Sequence, residues 1–113
     1  MANNFKNAVK TNIAIDSGTY TTVYASPAAK VSIILECDIA NTTAAAIDAS
    51  VTISDNSTST TSYIVNDAPI PAGGTLKVIS GQKIVLEGLD NIKAAASAGS
   101  SADCIVSILE DVG

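Results

Sequence analysis

Between Asp67 and Glu110 short apolar segments alternate with turn residues, and that alternation restricts the fold more than any other feature of the chain. Pro69 and Pro71 fix the backbone on the approach, and Gly73-Gly74 makes a turn. Strand-like segments follow at Leu76–Ile79, Ile84–Glu87 and Ile92–Ser97, separated by Ser80-Gly81-Gln82 and Gly88-Leu89-Asp90. A last segment, to Leu109, alternates sides. No amphipathic helix of useful length interrupts the pattern. It predicts an all-β fold, a single small antiparallel β-sandwich of Ig-like or jelly-roll-like type.

Ahead of this region the same texture holds. Residues 1–11 read as an extended N-terminal arm that enters a first strand near Asn12, and residues 12–113 as the single domain. Tyr20–Tyr24 reads as a second strand paired with the first. Lys30–Ala40 is the strongest strand: Val31, Ile33, Leu35, Cys37 and Ile39 alternate with Ser32, Ile34, Glu36 and Asp38, which predicts a central, half-buried position. Ser50–Ser54 and Ser62–Val65 flank a polar tip at Asp55–Thr61, so two hairpins are expected. The runs Ala44–Ala46 and Ala94–Ala96 are too short to nucleate helices.

Composition narrows the function. Aromatic residues make up only 4% of the 113, so each buried side chain removes little area from water, and a thin core favours association with further copies or partners. Only 15% of residues are charged, which leaves a neutral polar surface that partner surfaces could cover. Six Lys, no Arg and a net charge of -5 do not make the basic face that nucleic acid requires. Ile33-Ile34-Leu35 is far too short to span a bilayer, and Met1–Lys6 has no export-type apolar region. A soluble chain outside the membrane is expected.

Candidate chemistry is sparse. There is no His, and no phosphate-binding glycine loop. Glu36 with Asp38 projects two acids to one face of a strand, and Glu87 with Asp90 brackets a turn, but a solvated polar face accounts for both. Asp55-Asn56 and Asp90-Asn91 are pairs suited to turn capping rather than the spaced oxygen set of a calcium loop. Asn41-Thr42-Thr43 and Asn56-Ser57-Thr58 match the glycosylation triplet and read as loops. Cys37 and Cys104 read as buried free thiols, with a disulfide open if their strands are neighbours. No catalytic residue, metal or cofactor is expected. Tyr20, Tyr24 and Tyr63 could serve as interface anchors or sugar-stacking residues or pack at the core's edge, and Tyr20 and Tyr24 share one face of their strand.

Taken together, Tyr63-Ile64-Val65, Asp67–Leu76, Lys83–Glu87, the Gly88–Asp90 turn before Ile92-Lys93, and Ala102–Glu110 resemble small structural proteins of tailed bacteriophages, particularly of marine and cyanobacterial phages. The opening Met1–Ala8 is similar as well. The resemblance implies a virion component assembled in the host cytoplasm, non-enzymatic, homo-oligomeric, and held by protein contacts. A capsid decoration or cement protein on the major capsid protein is the first expectation. A neck, tail or fibre component, or a glycan-binding host-recognition module, is the alternative. Contacts are expected from Asn4, Phe5 and Lys6 of the arm, from Tyr20 and Tyr24, and from Pro69 and Pro71 on a rigid exposed edge.

Overall fold

The computed structural model describes residues 4–110, apart from the side chains at positions 81 and 82; the ends of the expected arm and domain, residues 1–3 and 111–113, lie outside the described residues. The described residues form eight strands: β1 Asn4–Lys10, β2 Thr21–Ala25, β3 Ser32–Asn41, β4 Ile47–Asp55, β5 Thr60–Ile70, β6 Thr75–Leu86, β7 Asn91–Ala96 and β8 Ala102–Glu110. They make two antiparallel sheets of four, ordered β1-β8-β3-β6 and β2-β7-β4-β5. The predicted β-sandwich is therefore found. Of the two expected types it is the jelly roll, in which the chain passes from sheet to sheet at nearly every connection.

That topology revises the local pairings. The extended arm is itself a strand: Asn4–Lys10 pairs with β8 from Asn4↔Glu110 to Lys10↔Cys104. β2 pairs with β7 rather than with the preceding segment, in which Ile15 makes a single bridge to Ala96. Among the described residues β4–β5 is the one pair of consecutive strands, so one hairpin forms, not two. Non-local edges satisfy the other strands, an arrangement that adjacent-strand reasoning does not reveal. Ser80-Gly81-Gln82 is not a turn but lies within β6, where the register against β3 shifts. Ala94–Ala96 is strand, fully buried in β7 between β2 and β4.

A second revision concerns β3. Its alternation does not hold one parity, because the register slips between Ile34 and Glu36 against both neighbours. Ser32 and Ile34 point inward before the slip, and Cys37 and Ile39 point inward after it, all four at 0% exposure. Leu35 and Glu36 together oppose one residue of β8, the geometry of a bulge. The core between the sheets is built mainly from Ile34, Ile39, Ile70, Ile79, Ile92 and Ile108, with Tyr24 its sole buried aromatic among the described residues. β-branched side chains suit this pleated interior.

Candidate interaction face

The bulge in β3 decides which of that strand's residues reach the outside of its sheet. Residues opposite one another in antiparallel strands point to the same face. One row across the outer face is Phe5, Leu109, Ile33 and Val85, drawn from β1, β8, β3 and β6. A second is Asn7, Ser107, Glu36 and Ser80, and a third is Val9, Ile105, Asp38 and Lys77. Phe5 is 77% exposed, Val85 57%, Val9 52% and Ile105 46%, while Ile33, Leu35 and Leu109 are half-buried beside them. An antiparallel sheet with one wet face ordinarily alternates apolar-in with polar-out. Here the first row is apolar throughout and the third is apolar on β1 and β8 but charged on β3 and β6, and a shallow hollow lined by Phe5, Asn7, Leu35 and Ser107 adjoins the first.

The acids singled out in the sequence, Glu36 and Asp38, do share this face. Burial, then the neighbouring Glu36, raises the Asp38 carboxyl above its ordinary range, against the opposing pull of Lys77. Asp38 Oδ1 is buried without a hydrogen-bond partner. Asp38 is thus a partly desolvated acid on an apolar surface.

The other sheet's outer face is polar. Tyr20, Thr52, Ser54, Thr61, Tyr63 and Lys93 line an open groove of about 270 Å³, with the Tyr20 and Tyr63 hydroxyls 3.5 Å apart. The neighbouring Tyr63 hydroxyl, followed by burial, raises the Tyr20 pKa. Tyr24 does not join Tyr20 there. A register shift between Thr22 and Tyr24 turns Tyr24 inward, so the expected shared face is broken by a bulge. Its hydroxyl donates to Glu110 Oε2 at 2.5 Å and lies 2.9 Å from Ser32 Oγ, and Ser26 Oγ is 3.0 Å from Ser32 Oγ. Lys6 Nζ adds a 3.3 Å ion pair to the same carboxylate. This network ties β2 of one sheet to β1, β3 and β8 of the other. Burial, then the hydrogen bond to Glu110, pushes the Tyr24 phenol up to about 12. The same bond, then Lys6, holds the Glu110 carboxyl below its usual range.

The remaining candidates separate in space. Asn4, Phe5 and Lys6 sit on β1, which adjoins β2; Pro69 lies on β5, which adjoins β6, with Pro71 just beyond it. The arm and the prolines therefore occupy opposite edges of the sandwich and form no common site. Both prolines are exposed, as expected on an edge strand, where a missing N–H costs nothing. Gly73, at φ +69°, completes the turn after Pro71, whose carbonyl accepts from Gly74 N at 2.9 Å.

Asn41 is buried: Nδ2 donates to the carbonyls of Ala45, Ile70 and Pro71, and Oδ1 accepts from Thr43. Its triplet is a loop clamp, not an accessible glycan acceptor. Cys37 and Cys104 are free and buried with their sulfurs 3.8 Å apart, and the Cys104 neighbour together with burial raises the Cys37 thiol. Asp55, Glu87 and Asp90 bring carboxylate oxygens within 4.8 Å of one another. Asp90 already accepts from the backbone of Asn56 and Glu87, which is turn capping.

Strict alternation through β3 does not reveal the apolar residues this strand turns outward. The signal was the uninterrupted Ile33-Ile34-Leu35, which no single parity can bury.

No family model and no curated protein matches the chain. Solved structures do. A chain of the T13 infectious bursal disease virus particle superposes with a TM-score of 0.55 at 8% identity, over 96% of this chain and 30% of that one. A chain from the Gt strain of infectious bursal disease virus gives a TM-score of 0.46 at 11% identity, over 96% and 32%. The first likeness shows a shared fold. This chain spans about a third of the length of the viral chains it matches.

Proposed function

We propose that this chain is a non-enzymatic structural protein of a virion, and within that class a capsid decoration or cement protein of a tailed phage. The observation that carries the reading is the apolar outer face of the β1-β8-β3-β6 sheet, with Phe5, Val9, Val85 and Ile105 exposed on a domain of only 113 residues. Exposed apolar area gathered on one face marks a surface that another protein covers. The fold supports the same reading, since this chain shares it with part of a chain from a viral particle. The neighbours come from infectious bursal disease virus and not from a phage, so the tailed-phage assignment rests on the sequence resemblance.

On this reading the partner is the major capsid protein, contacts run through the outer face together with Asn4, Phe5 and Lys6, and the protein acts in the virion after assembly in the host cytoplasm. Cosedimentation of the purified chain with empty heads and with isolated tails of the phage tests it. Saturable binding to heads is expected. Binding to tails alone would move the protein to the neck, tail or fibre, and binding to neither would sink the structural reading.

One observation favours a second reading. The Tyr20–Tyr63 groove combines two phenols, three hydroxyl side chains and Lys93 in an open trough, a surface on which a surface glycan of the host could lie. Titration of the chain with host glycans, compared with Tyr63→Ala, decides it: binding lost in the variant supports recognition, and no binding by the unchanged protein rejects it.

A further inference from the structure

We infer that two copies of this chain pair through β1, antiparallel about a two-fold axis at Asn7, so that the β1-β8-β3-β6 sheets of both copies join into one. The inference stands apart from the virion reading and rests on the edge strands themselves. An unpaired edge presents free N–H and C=O groups, and proteins blunt it either by interrupting it with bulges or prolines or by placing charged side chains, lysine above all, along it. Three of the four edges are interrupted in this way. β2 shifts register between Thr22 and Tyr24, β5 shifts at two places and contains Pro69, and β6 shifts at two places against β3. β1 has neither a break nor a proline: its seven residues pair with β8 in one register, and its guards are Lys6 and Lys10, which forbid some pairings with a second copy and not others.

The sequence of β1, Asn4-Phe5-Lys6-Asn7-Ala8-Val9-Lys10, is also complementary to itself in one register. Centred on Asn7, Phe5 of each copy stands opposite Val9 of the other, an aromatic against a β-branched residue, on the outer face where both are exposed. Lys6 then stands opposite Ala8, and Lys10 opposite Asn4. Centring on Lys6 sets that lysine against its own copy, and centring on Ala8 sets Lys6 against Lys10 twice. Both alternatives place like charges directly opposite and shorten the ladder. Glu110, 3.3 Å from Lys6, offsets the charge remaining near the axis. The contact is isologous, so it closes at two copies instead of propagating into a fibre. It also doubles the apolar outer face, bringing the Phe5 and Val9 rows of both copies together at the seam.

The test is the solution mass of the intact chain across a dilution series, combined with three variants. The unchanged protein is expected to run as a dimer. Asn7→Cys, incubated with oxidised glutathione, is expected to cross-link to a covalent dimer, while the unchanged chain, whose own thiols are buried, does not. Val9→Lys, placing a cation against Phe5, is expected to weaken the dimer by roughly tenfold or more, and adding Phe5→Glu restores it by setting Glu against Lys. Circular dichroism confirms that each variant is folded. A monomeric unchanged protein overturns the inference, as does a dimer that Asn7→Cys fails to cross-link or that Val9→Lys leaves intact. Head binding by a monomer would overturn the dimer while leaving the virion reading in place.

Discussion

The outer faces of the two sheets are made from the same architecture and differ in chemistry. Across β2-β7-β4-β5 the outward residues are Thr22, Thr52, Ser54, Thr61, Tyr63 and Lys93, the polar half of an ordinary alternating sheet. Across β1-β8-β3-β6 they include Phe5, Val9, Ile33, Val85, Ile105 and Leu109, on either side of the polar row Asn7, Ser107, Glu36 and Ser80 and beside Asp38 and Lys77. On β1, β8 and β6 the outward positions simply carry apolar residues, and β3 adds two devices of its own. β3 carries the run Ile33-Ile34-Leu35, whose members cannot all point inward, and a bulge then resets the parity so that Cys37 and Ile39 reach the core. An apolar residue on the outside of a sheet is tolerable when another surface covers it. The contrast teaches that the inner faces hold the domain together and that one outer face exposes apolar side chains that the other does not.

The largest effect separates inside from outside. Ile92→Ala, at 0% exposure, should cost about 2–5 kcal/mol in chemical denaturation, whereas Ile105→Ala, on the outer face, should stay within about 0.5 kcal/mol. Equal losses would mean that Ile105 is a core residue and that the two faces of β8 are not distinct.

Next in size is the difference between the two outer faces in binding. Val85→Lys with Ile105→Lys should weaken head binding by about 2 kcal/mol, roughly thirtyfold, while Thr61→Lys on the other sheet should leave it unchanged. The reverse pattern would assign the interface to the Tyr20–Tyr63 side.

A smaller effect probes the seam between the sheets. Tyr24→Phe removes the hydrogen bonds to Glu110 and Ser32 and should cost about 1–2 kcal/mol. Because Glu110 is held below its usual pKa, its contribution is present above the unfolded carboxylate pKa and lost as pH falls through the lower folded value. Acid unfolding of Tyr24→Phe should therefore fall less steeply with pH. On the alkaline side the phenol, raised from 10.0 to about 12, contributes stability that disappears as pH rises across that interval, and the variant should lack that loss too. Identical pH profiles would remove Tyr24 from the seam.

The smallest concerns Asp38. With its carboxyl raised, the folded protein holds the proton more tightly, so stability is greater below the unfolded pKa and declines as pH rises through the folded one. Asp38→Asn should melt above the unchanged protein at neutral pH, with the gap closing in acid. A lower melting temperature for the variant at neutral pH would show that ionised Asp38 is well paired.

Much of this was readable in the residues. The turn spacing from Asp67 onward implied a sandwich, the alternation after Ala102 implied a final half-buried strand, and Cys37 and Cys104 implied buried thiols. The Asp90 turn was legible as capping chemistry. The pairings were not, because β1 with β8, β2 with β7 and β3 with β6 join segments far apart in the chain, and turn residues report only where a strand stops. Nor was the bulge in β3, since a single inserted residue reverses parity without altering composition. The shift between Thr22 and Tyr24 likewise separates Tyr20 from Tyr24 without a mark in the composition.

What the sequence by itself determined is the kind of object: an all-β sandwich of β-branched strands with a thin core. Those properties follow from residue type and period, which are local. The tertiary structure alone decided that the arm is an edge strand, that the arm and the prolines lie on opposite edges, and that one outer face is apolar. These depend on which strands become neighbours and on where a register slips, and long-range contacts set both.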